Sequence, residues 1–250
     1  MKTPRVRWTI ALGIGMSLAA SLARAAPVSS NDVRRFAAEF ERFAKEDAQY
    51  PPPPNPVLFV GSSSIRLWTN LADSFPTWRP LNRGFGGATM TDLLAAFDRV
   101  VTPYRPRALV VYCGENDIAR GRDAIETAND YEEFLRRCHR LRPDMLVAVL
   151  SMKPSPRRWA LWPAMQKANE RIREICAAHG GDYLDVGTCL LVPSGIEPDP
   201  QLFRPDQLHL NDRGYARWQN LLAQWLDRRL GSAASVSAGS APNDRGLGSQ

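Results

Sequence analysis

Histidine and cysteine are both scarce in this chain, with three and four residues among 250. No CxxC pair and no Cys/His ligand spacing occurs, so neither a structural metal nor any other bound cofactor is expected. Cys113 lies in an apolar run and reads as a small buried filler. The other three are Cys138, Cys176 and Cys189, and four cysteines allow three full pairings. Cys176 and Cys189 flank a helix-to-strand connection and are the preferred pair for a disulfide.

A membrane-spanning run is also missing. The apolar stretch from Trp8 to Ala23 is about sixteen residues, interrupted by Gly13, Gly15, Ser17 and Ser21, against the ~20 a span needs. Lys2, Arg5 and Arg7 precede it, and Ala23-Arg24-Ala25 offers small residues where a signal peptidase reads. Residues 1–25 therefore read as a secretory signal cut after Ala25. The expectation is an exported protein, periplasmic or secreted, without a stable membrane anchor.

A concentrated basic charge is absent as well. The first 25 residues carry Lys2, Arg5, Arg7 and Arg24 and no acid, so the chain's +6 falls to +2 after cleavage. Many remaining arginines stand beside acids on helical stretches, as in Glu132-Glu133-Phe134-Leu135-Arg136-Arg137. That is a solvated face, and nucleic acid is not an expected partner.

What remains is enough for one domain with a full core. Val33, Phe36, Phe40 and Phe43 recur at helical spacing after Ser29–Asp32, which resembles a capping box and predicts a helix over 31–48. Pro51–Pro54 then stops it, so residues 26–54 form a leading helix and a rigid connector. Val57–Val60, Ala108–Cys113, Leu146–Leu150 and Tyr183–Val186 read as buried strands, and Trp78–Asn82 leads into a glycine turn. Helices are predicted over Thr91–Val101, Ala124–Leu141, Pro163–Ala178 and Asp212–Leu230. Continuous apolar strands alternating with helices imply an α/β domain over 55–230, its mainly parallel sheet covered on both faces. No internal repeat occurs, and 231–250, rich in Gly, Ser and Ala, reads as a disordered tail.

Four segments carry the chemistry: Gly61-Ser62-Ser63-Ser64, Arg83-Gly84-Phe85-Gly86-Gly87, Gly114-Glu115-Asn116-Asp117 and Asp206-Gln207-Leu208-His209. The first and third follow apolar strands, where parallel sheets present their ligand crevice. Ser63 is a candidate nucleophile, because a serine at a strand-to-helix turn exposes its hydroxyl; the bland reading is a serine turn capping a helix. His209 can take the serine proton, and Asp206, three residues earlier, can hold the other ring nitrogen. His139 and His179 lie in helical, solvated settings. Gly87 through its N–H and Asn116 through its amide are candidate oxyanion donors, with ordinary turn chemistry as their alternative.

These four segments, in this order, resemble those of the SGNH hydrolases (GDSL-type esterases and lipases) across roughly residues 55–230. The resemblance implies a three-layer α/β/α sandwich, a Ser63–Asp206–His209 triad, and an oxyanion hole of the Ser63 and Gly87 N–H groups with Asn116. One departure is visible. The family's usual Gly-Asp-Ser is Gly61-Ser62-Ser63 here, which leaves Ser63 and Ser64 both open as nucleophile and the family frame favouring Ser63.

Residues 153–163 follow the fourth strand and should overhang the same crevice. Trp159 and Trp162 are candidates to stack on a sugar ring, and Arg157 and Arg158 to meet an anionic group. Packing at the start of the next helix is the equal alternative for both tryptophans, and Trp68 and Trp78 read as core or rim packing. No long apolar lid appears. The expected function is hydrolysis of short acyl esters, such as acetyl on carbohydrate, with a small molecule or glycan as partner. The alternatives are a lysophospholipase-like esterase, an acyltransferase onto glycan, and a glycan-binding module without catalysis.

Overall fold

A computed structural model describes residues 33–231. The expected signal segment, Ser29–Asp32 and nearly all of the expected tail lie outside those residues. Strands β1 (Val57–Gly61), β2 (Leu81–Gly84), β3 (Ala108–Tyr112), β4 (Leu146–Leu150) and β5 (Asp182–Leu184) form one parallel sheet in the order β2-β1-β3-β4-β5. In chain order the helices are α1 (Ala37–Gln49), α2 (Ser63–Arg66), α3 (Leu71–Ser74), α4 (Met90–Val100), α5 (Glu115–Ala119), α6 (Ala124–Leu141), α7 (Trp162–His179) and α8 (Asp212–Leu230).

The two-residue period of a strand sorts its side chains onto opposite faces. Leu58, Val60, Leu109, Val111, Val147 and Val149 join a cluster with α1, α4, α6 and α7. Their neighbours Val57, Phe59, Ala108, Val110, Ala148 and Leu150 join a second cluster with α2, α3 and α8. This is why the runs are apolar at every position: both faces of the sheet are covered, giving the α/β/α sandwich. Trp68 is fully buried in the second cluster and Trp78 packs against it.

The chain leaves β1 towards β2 and then returns to place β3 on the other side of β1. The strand order reverses there, so the ends of β1 and β3 flank the crevice where such sheets take ligands. Gly61 ends β1 opposite Tyr112, at a φ of +136°, and a Cβ on it would lie 1.9 Å from the Tyr112 carbonyl oxygen. Only glycine permits that approach.

Three expectations change. The fifth strand, β2, is absent from the sequence reading because its Leu-Asn-Arg-Gly stretch carries no apolar run. Asn82 donates to the Ile65 carbonyl (2.6 Å), and the buried Arg83 pairs with Glu46 and Asp47 on α1 and donates to the Tyr104 hydroxyl (2.7 Å). Its burial therefore rests on partners distant in sequence. The first helix starts at Ala37 rather than residue 31, behind a 3₁₀ turn at Arg34–Phe36. Finally, all four cysteines are free thiols. Cys176 belongs to the cluster on one face of the sheet and Cys189 packs on the other, so no Cys176–Cys189 bond can form. Cys113 is fully buried, as a filler should be.

Replacing Gly61 with Ala should remove about 2–4 kcal/mol of stability, through the positive φ and the clash with Tyr112. Urea unfolding of the variant checks this, and an unchanged midpoint would contradict the close approach of β1 to β3.

Candidate active site

The turn from β1 into α2 decides which serine faces the crevice. Ser62 and Ser64 are buried and Ser63 is half-buried. Ser62 occupies the N-cap position without making a side-chain capping bond, so helix capping does not explain this serine run. The Ser62 N–H donates to the Tyr112 carbonyl (3.0 Å), and the Ser64 carbonyl accepts from the Tyr215 hydroxyl (2.9 Å), locking the turn on both sides. Ser63 Oγ stands 3.0 Å from His209 Nε2, a contact across 146 residues of sequence. Ser63, not Ser64, is the serine beside the imidazole.

His209 Nδ1 lies 2.6 Å from Asp206 Oδ2. Carboxylate oxygen only accepts, so Nδ1 carries the proton and Nε2 is left to accept from Ser63. The second oxygen, Asp206 Oδ1, accepts from the backbone N–H groups of Leu208 and His209, both at 2.9 Å. Burial alone would raise this carboxyl, but the His209 ring and the two N–H groups outweigh it and hold it well below the usual carboxylate range.

The loop bearing this pair is fixed by its surroundings. Gln207 adopts φ +57°, and its carbonyl accepts from the Arg157 N–H at 3.0 Å. Arg204 donates to the carbonyls of Leu210 (2.9 Å) and Leu67 (3.2 Å), tying the His209 loop to the end of the Ser63 turn. Asn211 caps α8 by accepting from Arg213 and Gly214, while its own amide donates to Gln201 and Phe203. Trp218, buried on α8, anchors that helix by donating to the Val186 carbonyl at 3.0 Å.

Gly87 has φ +73°, and a Cβ there would meet nothing within 4 Å, so its backbone borders open space. Among the described residues, neither the Ser63 nor the Gly87 N–H donates to another backbone group. The Asn116 amide donates through Nδ2 to the Ala88 carbonyl (2.9 Å), which keeps it beside Gly87 and leaves a second Nδ2 hydrogen. Asp117, next in sequence, is buried and accepts from the Met90 N–H; burial pushes its carboxyl up to about 6, with the Met90 N–H and Arg122 opposing.

Trp159 and Trp162 stack on each other with centroids 6.3 Å apart, and Trp162 also packs against the apolar cluster around α7. This favours the packing alternative for Trp162. Arg158 is committed inward. Its guanidinium donates to Glu115 Oε1 and to Asn116 Oδ1, both at 3.0 Å. Glu115 Oε2 accepts from Lys153 Nζ (2.9 Å) and the Tyr112 hydroxyl (2.5 Å). Burial would raise the Glu115 carboxyl, but the Lys153 and Arg158 charges bring it below its ordinary value; burial lowers the Lys153 ammonium, with Glu115 opposing.

The structure brings together Ser63, His209 and Asp206, which the sequence singled out; the Glu115–Lys153–Arg158 cluster and the separate tie made by Arg204 were not read from it. The available signal was charge at the carboxyl ends of buried strands, at Glu115 and Lys153. His139 and His179 are partly buried rather than solvated, and His179 lies 3.3 Å from Glu132; neither is at the site. Among the described residues no group of three or more His, Cys, Asp or Glu is placed to hold a metal ion.

A three-layer α/β/α sheet with a Ser–His–Asp constellation at its switch point defines a hydrolase-like site. The chain belongs to the GDSL-like lipase/acylhydrolase family, whose profile matches residues 59–217. Solved structures with the same fold include a GDSL-like lipase from Bacteroides thetaiotaomicron, 23% identical, with a TM-score of 0.64 over 76% of this chain and 98% of that one. The lipase/acylhydrolase from Enterococcus faecalis is 18% identical, with a TM-score of 0.57 over 70% of this chain and 96% of that one. A variant of an acetyl xylan esterase from Geobacillus stearothermophilus is 17% identical, with a TM-score of 0.54 over 71% and 94%. A search of curated protein sequences finds no match.

The depressed Asp206 carboxyl makes a pH prediction. A carboxylate lowered by folding contributes stability above its unfolded pKa of about 3.9, and loses it as pH falls through the folded value. Wild type should therefore exceed Asp206→Asn in urea midpoint at pH 7, with the gap narrowing steadily below about pH 4. A gap that stays constant with pH contradicts an ionised Asp206 held by its partners in the fold.

Proposed function

We propose that this protein is an exported serine esterase that cleaves short acyl esters, such as acetyl groups on carbohydrate, through an acyl-enzyme on Ser63. The single observation that carries the reading is the continuous line from Asp206 through His209 to Ser63, at 2.6 and 3.0 Å.

In this reading Ser63 Oγ attacks the ester carbonyl carbon while its proton passes to His209 Nε2. The carbonyl oxygen becomes an oxyanion, received by the Ser63 and Gly87 N–H groups and the free Nδ2 hydrogen of Asn116. Collapse of the tetrahedral intermediate breaks the bond to the alcohol, which leaves with the proton from His209. Water then repeats the sequence: His209 takes its proton, the hydroxide attacks the acyl carbon, and Ser63 recovers its hydrogen as the acid departs. Asp206 stays ionised throughout and steadies the imidazolium.

Preference for a short acyl group over a lipid surface is supported by the exterior. Among the described residues the large exposed hydrophobic side chains are Tyr50 and Ile196 alone, and no helix is long and apolar enough to cross a membrane. An enzyme working at an oil interface needs a contiguous apolar face. The acetyl xylan esterase of like fold is consistent with a carbohydrate substrate. Export is supported by the basic, apolar and Ala-Arg-Ala order of residues 1–25.

Purified mature protein should hydrolyse p-nitrophenyl acetate, and Ser63→Ala should lower kcat by about 10⁴-fold or more with the thermal unfolding midpoint retained. An undiminished rate in that variant removes Ser63 as nucleophile. Across p-nitrophenyl esters from acetyl to palmitoyl, kcat/KM should peak at the short end, and acetylated oligosaccharide should release free acetate. A maximum at long chains would point instead to a lysophospholipase-like esterase, and transfer to an added glycan without acetate release to an acyltransferase.

A further inference from the structure

An asparagine that serves as an oxyanion donor must present its nitrogen and not its oxygen. The two ends of the amide are nearly equal in size, and rotation by half a turn exchanges a donor for an acceptor. At Asn116 the reversed amide would aim Oδ1 at a developing negative charge. Something must hold the orientation.

We propose that Arg158 is the positioning residue for Asn116, and so for the oxyanion site; this rests on the esterase reading above. The Arg158 guanidinium donates to Asn116 Oδ1 at 3.0 Å, an end of the amide that would offer only N–H groups if reversed. The other end donates to the Ala88 carbonyl at 2.9 Å, so both ends of the amide are assigned. One Nδ2 hydrogen remains for the substrate oxygen.

Arg158 is itself held by a buried charge cluster. One arm of its planar fork lies on Asn116 and the other on Glu115, two neighbouring residues at the start of α5. Glu115 is kept in place by Lys153 and Tyr112, and the side chains of Glu115 and Lys153 are 4% and 1% exposed. Buried ions of this kind add little stability over apolar side chains of similar volume, so packing alone does not account for them. A fork that bridges two acceptors does account for Arg158, whereas a lysine in its place would offer its N–H groups from a single nitrogen, without two nitrogens held apart to span Glu115 and Asn116.

The cluster also has a net charge of +1 when Lys153, Glu115 and Arg158 are counted together. The Arg158 guanidinium faces the oxygen of the Asn116 amide and polarises its N–H groups towards stronger donation. The Arg157 N–H donates to the Gln207 carbonyl at 3.0 Å, so one turn braces the Asn116 side of the crevice and the Asp206–His209 loop together.

A double-mutant cycle tests this with Arg158→Lys and Asn116→Ala, using p-nitrophenyl acetate. Arg158→Lys keeps a cation for Glu115 but loses the second arm. It should lower kcat about 10- to 100-fold with KM within about threefold, less than the ~10²–10³ expected for removing the donor itself. In the Asn116→Ala background the same change should lower kcat by less than about twofold, because the residue it positions is gone. A wild-type kcat in Arg158→Lys, or an equal loss in both backgrounds, overturns the proposal. If Arg158→Lys unfolds early, Arg158→Met, which fills the volume without charge, carries the same cycle and the same two outcomes. Ser63→Ala separates the two readings: activity surviving there defeats the esterase reading, whereas an inert Ser63→Ala beside an unimpaired Arg158→Lys defeats only the positioning role.

Discussion

The parallel pairing of β1 with β3 is the constraint on which the site is built. The pair lies at the reversal of strand order, and Gly61 meets Tyr112 so closely that no side chain fits between them. That contact sets the height at which both strands end, and each strand passes at once into a short helix. Ser63 opens one and Glu115-Asn116 opens the other. A hydroxyl and an amide donor are thus delivered to one crevice by backbone geometry before any side chain interacts.

The imidazole arrives by a less regular route. Residues 203–211 contain no strand of the main sheet, only a single bridge between Phe203 and Leu210. Their position is set by hydrogen bonds from Arg204, by the Asn211 cap and by the docking of α8 through Trp218. A loop held by side chains in this way can place a ring to within a hydrogen bond of Ser63, because the helix that follows is anchored in the core. The cluster of Lys153, Glu115 and Arg158 acts in the same manner on the Asn116 side. It stiffens a wall that backbone pairing alone leaves free.

Legibility in the sequence followed the range of the interactions involved. β1, β3 and β4 were readable because burial on both faces demands an uninterrupted apolar run, and α6 and α8 fall at the predicted residues because their caps, Asp123 and Asn211, are local. β2 was not readable, since the half-buried Asn82 and the buried Arg83 are held by partners 14 to 37 residues away. The expected Cys176–Cys189 bond failed for the same reason: proximity in sequence could not reveal that the sheet separates the two thiols. Trp162 offered ring and helix-start readings alike, and its contact with the core around α7 is again a long-range fact.

The sequence by itself determined the alternation of strands and helices, and four motifs at strand ends and loops whose residue types suit acyl transfer. Those properties depend on neighbours a few positions apart, through periodicity, capping and turn preference. The tertiary structure alone decided which of the serines meets His209, which way the Asn116 amide points, and that Arg158 turns inward to hold it. Each of these depends on atoms brought together from 28 to 146 residues apart, and no local pattern encodes the direction in which a side chain will find its partner.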